Sequence, residues 1–205
     1  MFHELGHAVH YLVSRAKYFL PFSKDFFEIL SLLLENWVWE PGVLKKLGRH
    51  HQNGTKLPDD LIVDIARTKN VNQAHAMLGQ LHVALFDLTI HAPGSHEAAE
   101  AMDLTQLWNQ LKRDVVGLPL GDDEGFHIFR KYDAGYFAYP LSKVYATDIC
   151  STFFAADPMS TEVGLRYRRM VLEPGASRPE ADILAAYLGR ECIGDVYYAE
   201  QEEED

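Results

Sequence analysis

Cysteine is scarce in this chain. The two present, Cys150 and Cys192, stand far apart with no Cys-x-x-Cys spacing, which excludes a disulfide scaffold and a thiolate-bound metal cluster. That scarcity suits a reducing compartment, the cytoplasm, with the mitochondrion left open. Positive charge is also in short supply. Nineteen Lys and Arg against 30 Asp and Glu give a net charge of −11, which argues against a phosphate-binding surface, so no nucleic acid partner is expected. No apolar run is long enough to span a bilayer. The longest, residues 26–39, is interrupted by Glu28 and Glu35, so no membrane partner is expected either. No cationic, apolar leader precedes the first motif, and no targeting signal is expected. Glycine (14) and proline (9) occur in ordinary numbers, which excludes collagenous and low-complexity chains. Internal repeats and strand-like alternation are missing as well.

What is present is a core and a helical pattern. Hydrophobic residues make up 47% of the chain and aromatics 12%, enough to bury a core. Residues 2–19 carry Leu5, Ala8, Val9, Leu12 and Val13 as an apolar stripe near the helical period. Asp25 is the expected N-cap of a second helix that ends near Trp39, where Pro41-Gly42 punctuates the chain. Further helices are expected over residues 58–69, over a stripe of Met77, Leu81, Leu85 and Leu88, and from the cap Asp103 to Gly117. After a Gly- and Asp-rich loop over residues 118–135, helices follow over 139–155, 162–170 and 179–188. The expectation is all-α, with no linker that splits residues 1–190. Residues 191–205 follow as a terminal segment whose acidic tail, 201–205, is solvated and disordered.

His3-Glu4-Leu5-Gly6-His7 places two imidazoles at i and i+4, one turn apart on a single helix face, where both can bind one ion. Glu4 lies beside that face, close enough to take a proton from water without being a ligand. The second helix is apolar almost all round, yet carries Glu28 and Glu35 seven positions apart on one face. A carboxylate on a buried helix needs a partner, and a divalent cation is the strongest one. Glu28 is therefore the expected third ligand of a zinc ion, leaving the fourth position for water. Glu35 is expected to orient a ligand imidazole or to form a salt bridge. The plainer alternatives are two unrelated histidines on a polar face, and Glu28 as a boundary carboxylate favoured by the helix dipole. His10, one turn past His7, reads as a packing residue. His82, His91 and the other histidines have no ligand spacing. Further on, His127, Tyr132, Tyr136, Tyr139 and Tyr145 crowd one stretch around Gly125 and Gly135. Phenols so placed either direct hydroxyls at a developing oxyanion or simply pack.

The blocks FHELGHAVH, DFFEILSLLLENWVWE, HIFRKYDAGYFAYPLSKVY, YRRMVLEPGAS and YLGRE, in this order, resemble the thimet oligopeptidase family of zinc metallopeptidases. The resemblance runs from Phe2 to about Arg190. It implies an all-helical catalytic fold that cleaves short peptides in a deep channel. It implies one zinc bound by His3, His7 and Glu28, with Glu4 as general base. It also implies that His127, Tyr136 and Tyr139 contact the substrate and stabilise the oxyanion. Three departures accompany it. Glu28 follows His7 by 21 positions, about four fewer than the family pattern. Arg130-Lys131 stands where the family has Gly-Gly, which stiffens that loop. The family's upstream half is missing and is the expected structural complement. Without that half, the expectation is a poor peptidase whose apolar faces, such as that of residues 26–39, lie partly exposed. The rival reading is a truncated, non-catalytic zinc- or peptide-binding remnant.

Overall fold

The computed structural model describes residues 1–17, 23–117, 132–192 and 194–202. Among them every regular element is helical, and extended backbone pairs only in an isolated antiparallel bridge between Arg49 and Lys56. The all-α expectation holds. In chain order the helices are α1 (Phe2–Val13), α2 (Lys24–Glu35), α3 (Pro41–Leu47), α4 (Asp59–Arg67), α5 (Gln73–His91) and α6 (His96–Glu100). They continue as α7 (Leu104–Val116), α8 (Ala138–Ile149), α9 (Thr161–Tyr167), α10 (Glu180–Leu188) and α11 (Asp195–Glu202). The chain falls into two compact units, one of Met1–Val71 with Ser142–Asp205, the other Asn72–Leu141.

In the first unit α2 supplies the centre of the core. Phe26, Ile29, Leu30 and Leu33 recur at i, i+3, i+4 and i+7, so one face of the helix is wholly apolar and buries against α8, α9 and α10. Ile149, Phe154, Val171, Ile183 and Tyr187 close over it. Of the apolar residues along 26–39 only Phe26, Ile29, Leu30 and Leu33 are fully inside, while Phe27, Leu32, Leu34, Trp37, Val38 and Trp39 are half-buried, so the stretch stays partly exposed, as expected. Trp37, beyond the end of α2, is held by donating its indole N–H to the Pro158 carbonyl at 2.9 Å. α2 begins two residues earlier than expected. Ser23, not Asp25, occupies the N-cap position, and Asp25 sits in the first turn, where its charge suits the helix dipole.

The second unit is built on α5 and α7, with Val83, Phe86 and Trp108 at its centre and Leu107, Leu111 and Tyr136 packed around them. Both ends of α7 match expectation. Asp103 accepts the Gln106 N–H at 2.9 Å, and Gly117 takes the left-handed conformation (φ 73°) that stops the helix.

Several boundaries differ. α1 stops at Val13 rather than near Phe19, because the chain turns away and Arg15 donates its N–H to the Glu173 carbonyl at 2.8 Å. Pro41-Gly42 opens α3 instead of ending order, since a proline at the first helical position gives up no hydrogen bond. α8 and α9 each run on into a wider, π-helical turn, over Cys150–Phe154 and Arg168–Leu172. α11 extends to Glu202, so Gln201 and Glu202 of the acidic tail are helical rather than disordered. The leucines of the α1 and α5 stripes are turned outward, although Val9 and Val13 of α1 do pack against the core. Leu5 and Leu12 of α1 and Leu81, Leu85 and Leu88 of α5 face outward, while Gly6, His10, His82 and Asp87 are buried. No helix among the described residues is long and apolar enough to cross a membrane.

Candidate metal centre

The site begins with a glycine. A Cβ on Gly6 would stand 2.6 Å from Ser31 Cα, 2.9 Å from Ser31 N and 3.0 Å from the Leu30 carbonyl oxygen. Only a residue without a side chain lets α1 approach α2 this closely. The close approach brings the His3–His7 face of α1 onto Glu28 of α2. His3 Nε2 lies 3.2 Å and His7 Nε2 3.5 Å from the same Glu28 oxygen, Oε2. One ligand atom from each of the three residues lies within 4.8 Å of the other two.

The surroundings fix each donor. His3 Nδ1 is 2.8 Å from Glu35 Oε1. An N–H donated there leaves the Nε2 lone pair turned toward Glu28. Glu35 thus orients an imidazole, one of the two roles expected of it. Ser31, fully buried, directs its hydroxyl at the Glu28 carbonyl and at Oε2, at 2.8 and 2.9 Å. The His7 ring stacks on Phe27 with centroids 4.0 Å apart. Burial lowers the pKa of His7, against the opposing pull of Glu28, so its ring is favoured in the neutral form that metals bind. Two imidazoles and a carboxylate converging on one point are the donor set of a zinc site with an open position, and the residues present fit that ion. Glu4 is exposed beside His7, within electrostatic reach of it. His10 is buried against the edge of Phe26, with its pKa pushed down to about 4 by burial. It packs, as the spacing suggests.

The tyrosines form a group of their own in the second unit. The hydroxyls of Tyr132 and Tyr139 lie 3.0 Å apart, and the Tyr136 ring stands 5.4 Å from each of their rings. Burial raises the pKa of Tyr136, with Tyr132 adding to the effect, so its phenol is held protonated as a donor. His127 and the Arg130-Lys131 pair lie outside the described residues.

Spacing alone does not single out Gly6 or Ser31. Gly6 did carry a signal, since a glycine inside a helix costs about 1 kcal/mol relative to alanine and so marks a close approach. Ser31 carried none, because its role exists only in its contact with Glu28.

The chain is similar to known proteins along nearly its whole length. The chain is 37% identical over 97% of its length to saccharolysin of Saccharomyces cerevisiae, of which it covers 29%. It is 33% identical over 92% of its length to the thimet-like oligopeptidase of Dictyostelium discoideum, again covering 29%. It is 30% identical over 94% of its length to the mitochondrial intermediate peptidase of Arabidopsis thaliana, covering 28%. The chain thus spans less than a third of the length of each of these relatives. A family model described as peptidase family M3 matches residues 1–201, nearly the whole chain. The chain belongs to peptidase family M3.

Proposed function

We propose that this chain is the metal-binding part of a zinc-dependent endopeptidase that hydrolyses short peptides, with His3, His7 and Glu28 holding one zinc ion. The observation that carries the reading is the convergence of three donor atoms within 4.8 Å of one another, with Glu35 and Ser31 fixing two of them. Names of the relatives, oligopeptidases among them, support the substrate class. Residues 1–190 form the catalytic part and 191–205 a terminal segment. A cytoplasmic setting suits two cysteines that are both free thiols.

When bound, zinc supplies Lewis acidity to water and to the scissile carbonyl. Glu4, exposed and beside His7, accepts the proton of the attacking water and passes it to the leaving amine. The phenols of Tyr136 and Tyr139, with His127, donate hydrogen bonds to the carbonyl oxygen as negative charge develops there. Ser31 and Glu35 keep Glu28 and His3 turned to the ion. A binding module without turnover is the second reading, since the same three donors would hold an ion whether or not a peptide is cleaved.

A quenched-fluorescent peptide assay on the zinc-loaded chain, run beside Glu4→Gln, separates the two. Metal-dependent cleavage that falls by about 10²–10⁴-fold in Glu4→Gln, with zinc content unchanged, supports the enzyme. Cleavage that survives in the Gln variant removes Glu4 from the mechanism. Zinc binding without cleavage by the parent chain favours the binding module.

A further inference from the structure

Asp87 is a carboxylate with 0% exposure in the interior of α5. Burying an ionised carboxylate costs several kcal/mol unless hydrogen bonds replace its water. Here they come from the turn that carries the tyrosines. Asp87 Oδ1 accepts the Ala134 N–H at 3.1 Å and Oδ2 accepts the Tyr136 N–H at 2.9 Å. His91, one turn on along α5, presents Nδ1 at 3.0 Å from Oδ1 and 2.8 Å from the Asp87 carbonyl oxygen, and the same Nδ1 lies 3.3 Å from the Ala134 nitrogen, so His91 and Asp87 hold that amide together while the Tyr136 amide is held by Asp87.

The turn itself shows that its register is imposed. Ala134 adopts the left-handed region (φ 52°), while its neighbour Gly135 does not. An alanine there costs about 1–2 kcal/mol that a glycine would not. Left to local preference, the glycine would take the positive φ. The strained register is the one that aims the N–H groups of residues 134 and 136 at the two Asp87 oxygens. The same turn then leads directly into α8, with Tyr139 N–H bonded to the Tyr136 carbonyl at 3.2 Å. The phenols of Tyr132 and Tyr139 meet at 3.0 Å. A filler for the core would need no charge, and Val83 and Phe86 already fill it.

We infer that Asp87 is a positioning residue for the peptidase reaction: its buried carboxylate, braced by His91, sets the backbone of Ala134 and Tyr136 and so the direction of the Tyr136 and Tyr139 phenols. This rests on the proposed role of those phenols. Asp87→Asn keeps the shape but turns an NH2 group toward one of the two N–H donors, so one hydrogen bond is lost.

The test has two arms, both on the zinc-loaded full chain. In residue-resolved amide exchange, Asp87→Asn should speed exchange at Ala134 or Tyr136 by about 10-fold or more, while α7 amides stay within about 3-fold. In the peptide assay, the variant should lower kcat by about 10-fold or more with KM within about 3-fold. That loss should shrink to under about 3-fold in a Tyr136→Phe/Tyr139→Phe background, because both changes act through the same phenols. Unchanged exchange at both amides, or equal loosening of α7, overturns the inference. So does a kcat loss that persists in full without the phenols. If Tyr136→Phe/Tyr139→Phe alone leaves kcat intact, the role of the phenols fails, and with it positioning for catalysis. If the parent chain shows no turnover, exchange still decides whether Asp87 sets the turn.

Discussion

α7 and α1 are amphipathic helices of 13 and 12 residues, and they obey opposite rules. In α7 the stripe visible in the sequence is the stripe that is buried: Trp108 is inside, and Leu107 and Leu111 pack around it. In α1 the visible leucines are outside, Leu5 50% and Leu12 82% exposed, and the inward face is His3, Gly6, His7 and His10, with Val9 and Val13 packed against the core beside them. α5 repeats the inversion, with Leu81, Leu85 and Leu88 outward and His82 and Asp87 inward. Apolar transfer alone orients α7. α1 is oriented by what its polar face must meet, namely Glu28 and Glu35, and by a glycine that sets the separation. In this chain, a buried polar group on a leucine-bearing helix marks a place where specific geometry outweighs apolar burial.

The sharpest way to break that contrast is to remove a large residue from each helix. Trp108→Ala should destabilise the second unit by about 3–5 kcal/mol, the cost of emptying a packed aromatic site. Leu12→Ala, on the outer face of α1, should change stability by under about 0.5 kcal/mol. Denaturant melts of both variants decide the matter, and a large loss from Leu12→Ala would restore the ordinary reading of α1. A second test stays within α1. Gly6→Ala puts a methyl group 2.6 Å from Ser31 Cα, against backbone that cannot rotate away. An overpacking cost of about 1–3 kcal/mol is expected, with weaker zinc binding as α1 is pushed off Glu28. Zinc affinity measured by competition with a chelator would expose a site indifferent to that separation.

In α7, Asp103→Ala should cost about 1 kcal/mol by freeing the Gln106 N–H. Glu4 is the third residue of α1 rather than its cap, and no side-chain cap bond closes that helix start. Glu4→Gln should therefore leave the melting curve almost unmoved. A further contrast concerns Cys192 in the first unit, whose thiol pKa is pushed up to about 11, chiefly by burial. Its alkylation at pH 8 should run about 100-fold slower in the folded chain than in the unfolded one. Equal rates would mean that this part of the first unit opens freely.

These contrasts also show what the sequence carried and what it withheld. The ends of α7 were legible because capping is local: Asp103 and Gly117 act on residues three or four positions away. The trio His3, His7 and Glu28 could be named from spacing on two helices, and their donor atoms converge in the structure. The orientation of α1 was only half legible from hydrophobicity, since Val9 and Val13 do meet the core while Leu5, Ala8 and Leu12 face out and the histidines face in. α3 was hidden because Pro41-Gly42 reads as a stop until the proline is seen at the first helical position. Ser31 and Asp87 were beyond reach for a different reason. Their meaning lies in contacts with a particular carboxylate oxygen and with two backbone amides far along the chain, which no local pattern encodes.

The central claim is that α1 turns its polar face inward to hold a metal ion with Glu28. Zinc content of the purified chain, measured after exhaustive dialysis against trace-metal-free buffer, tests it most directly when Glu28→Ala and Leu12→Ala are run in parallel. The account predicts about one zinc per chain for the parent and for Leu12→Ala, and a loss of most of it in Glu28→Ala. Zinc retained at the parent level in Glu28→Ala would contradict it.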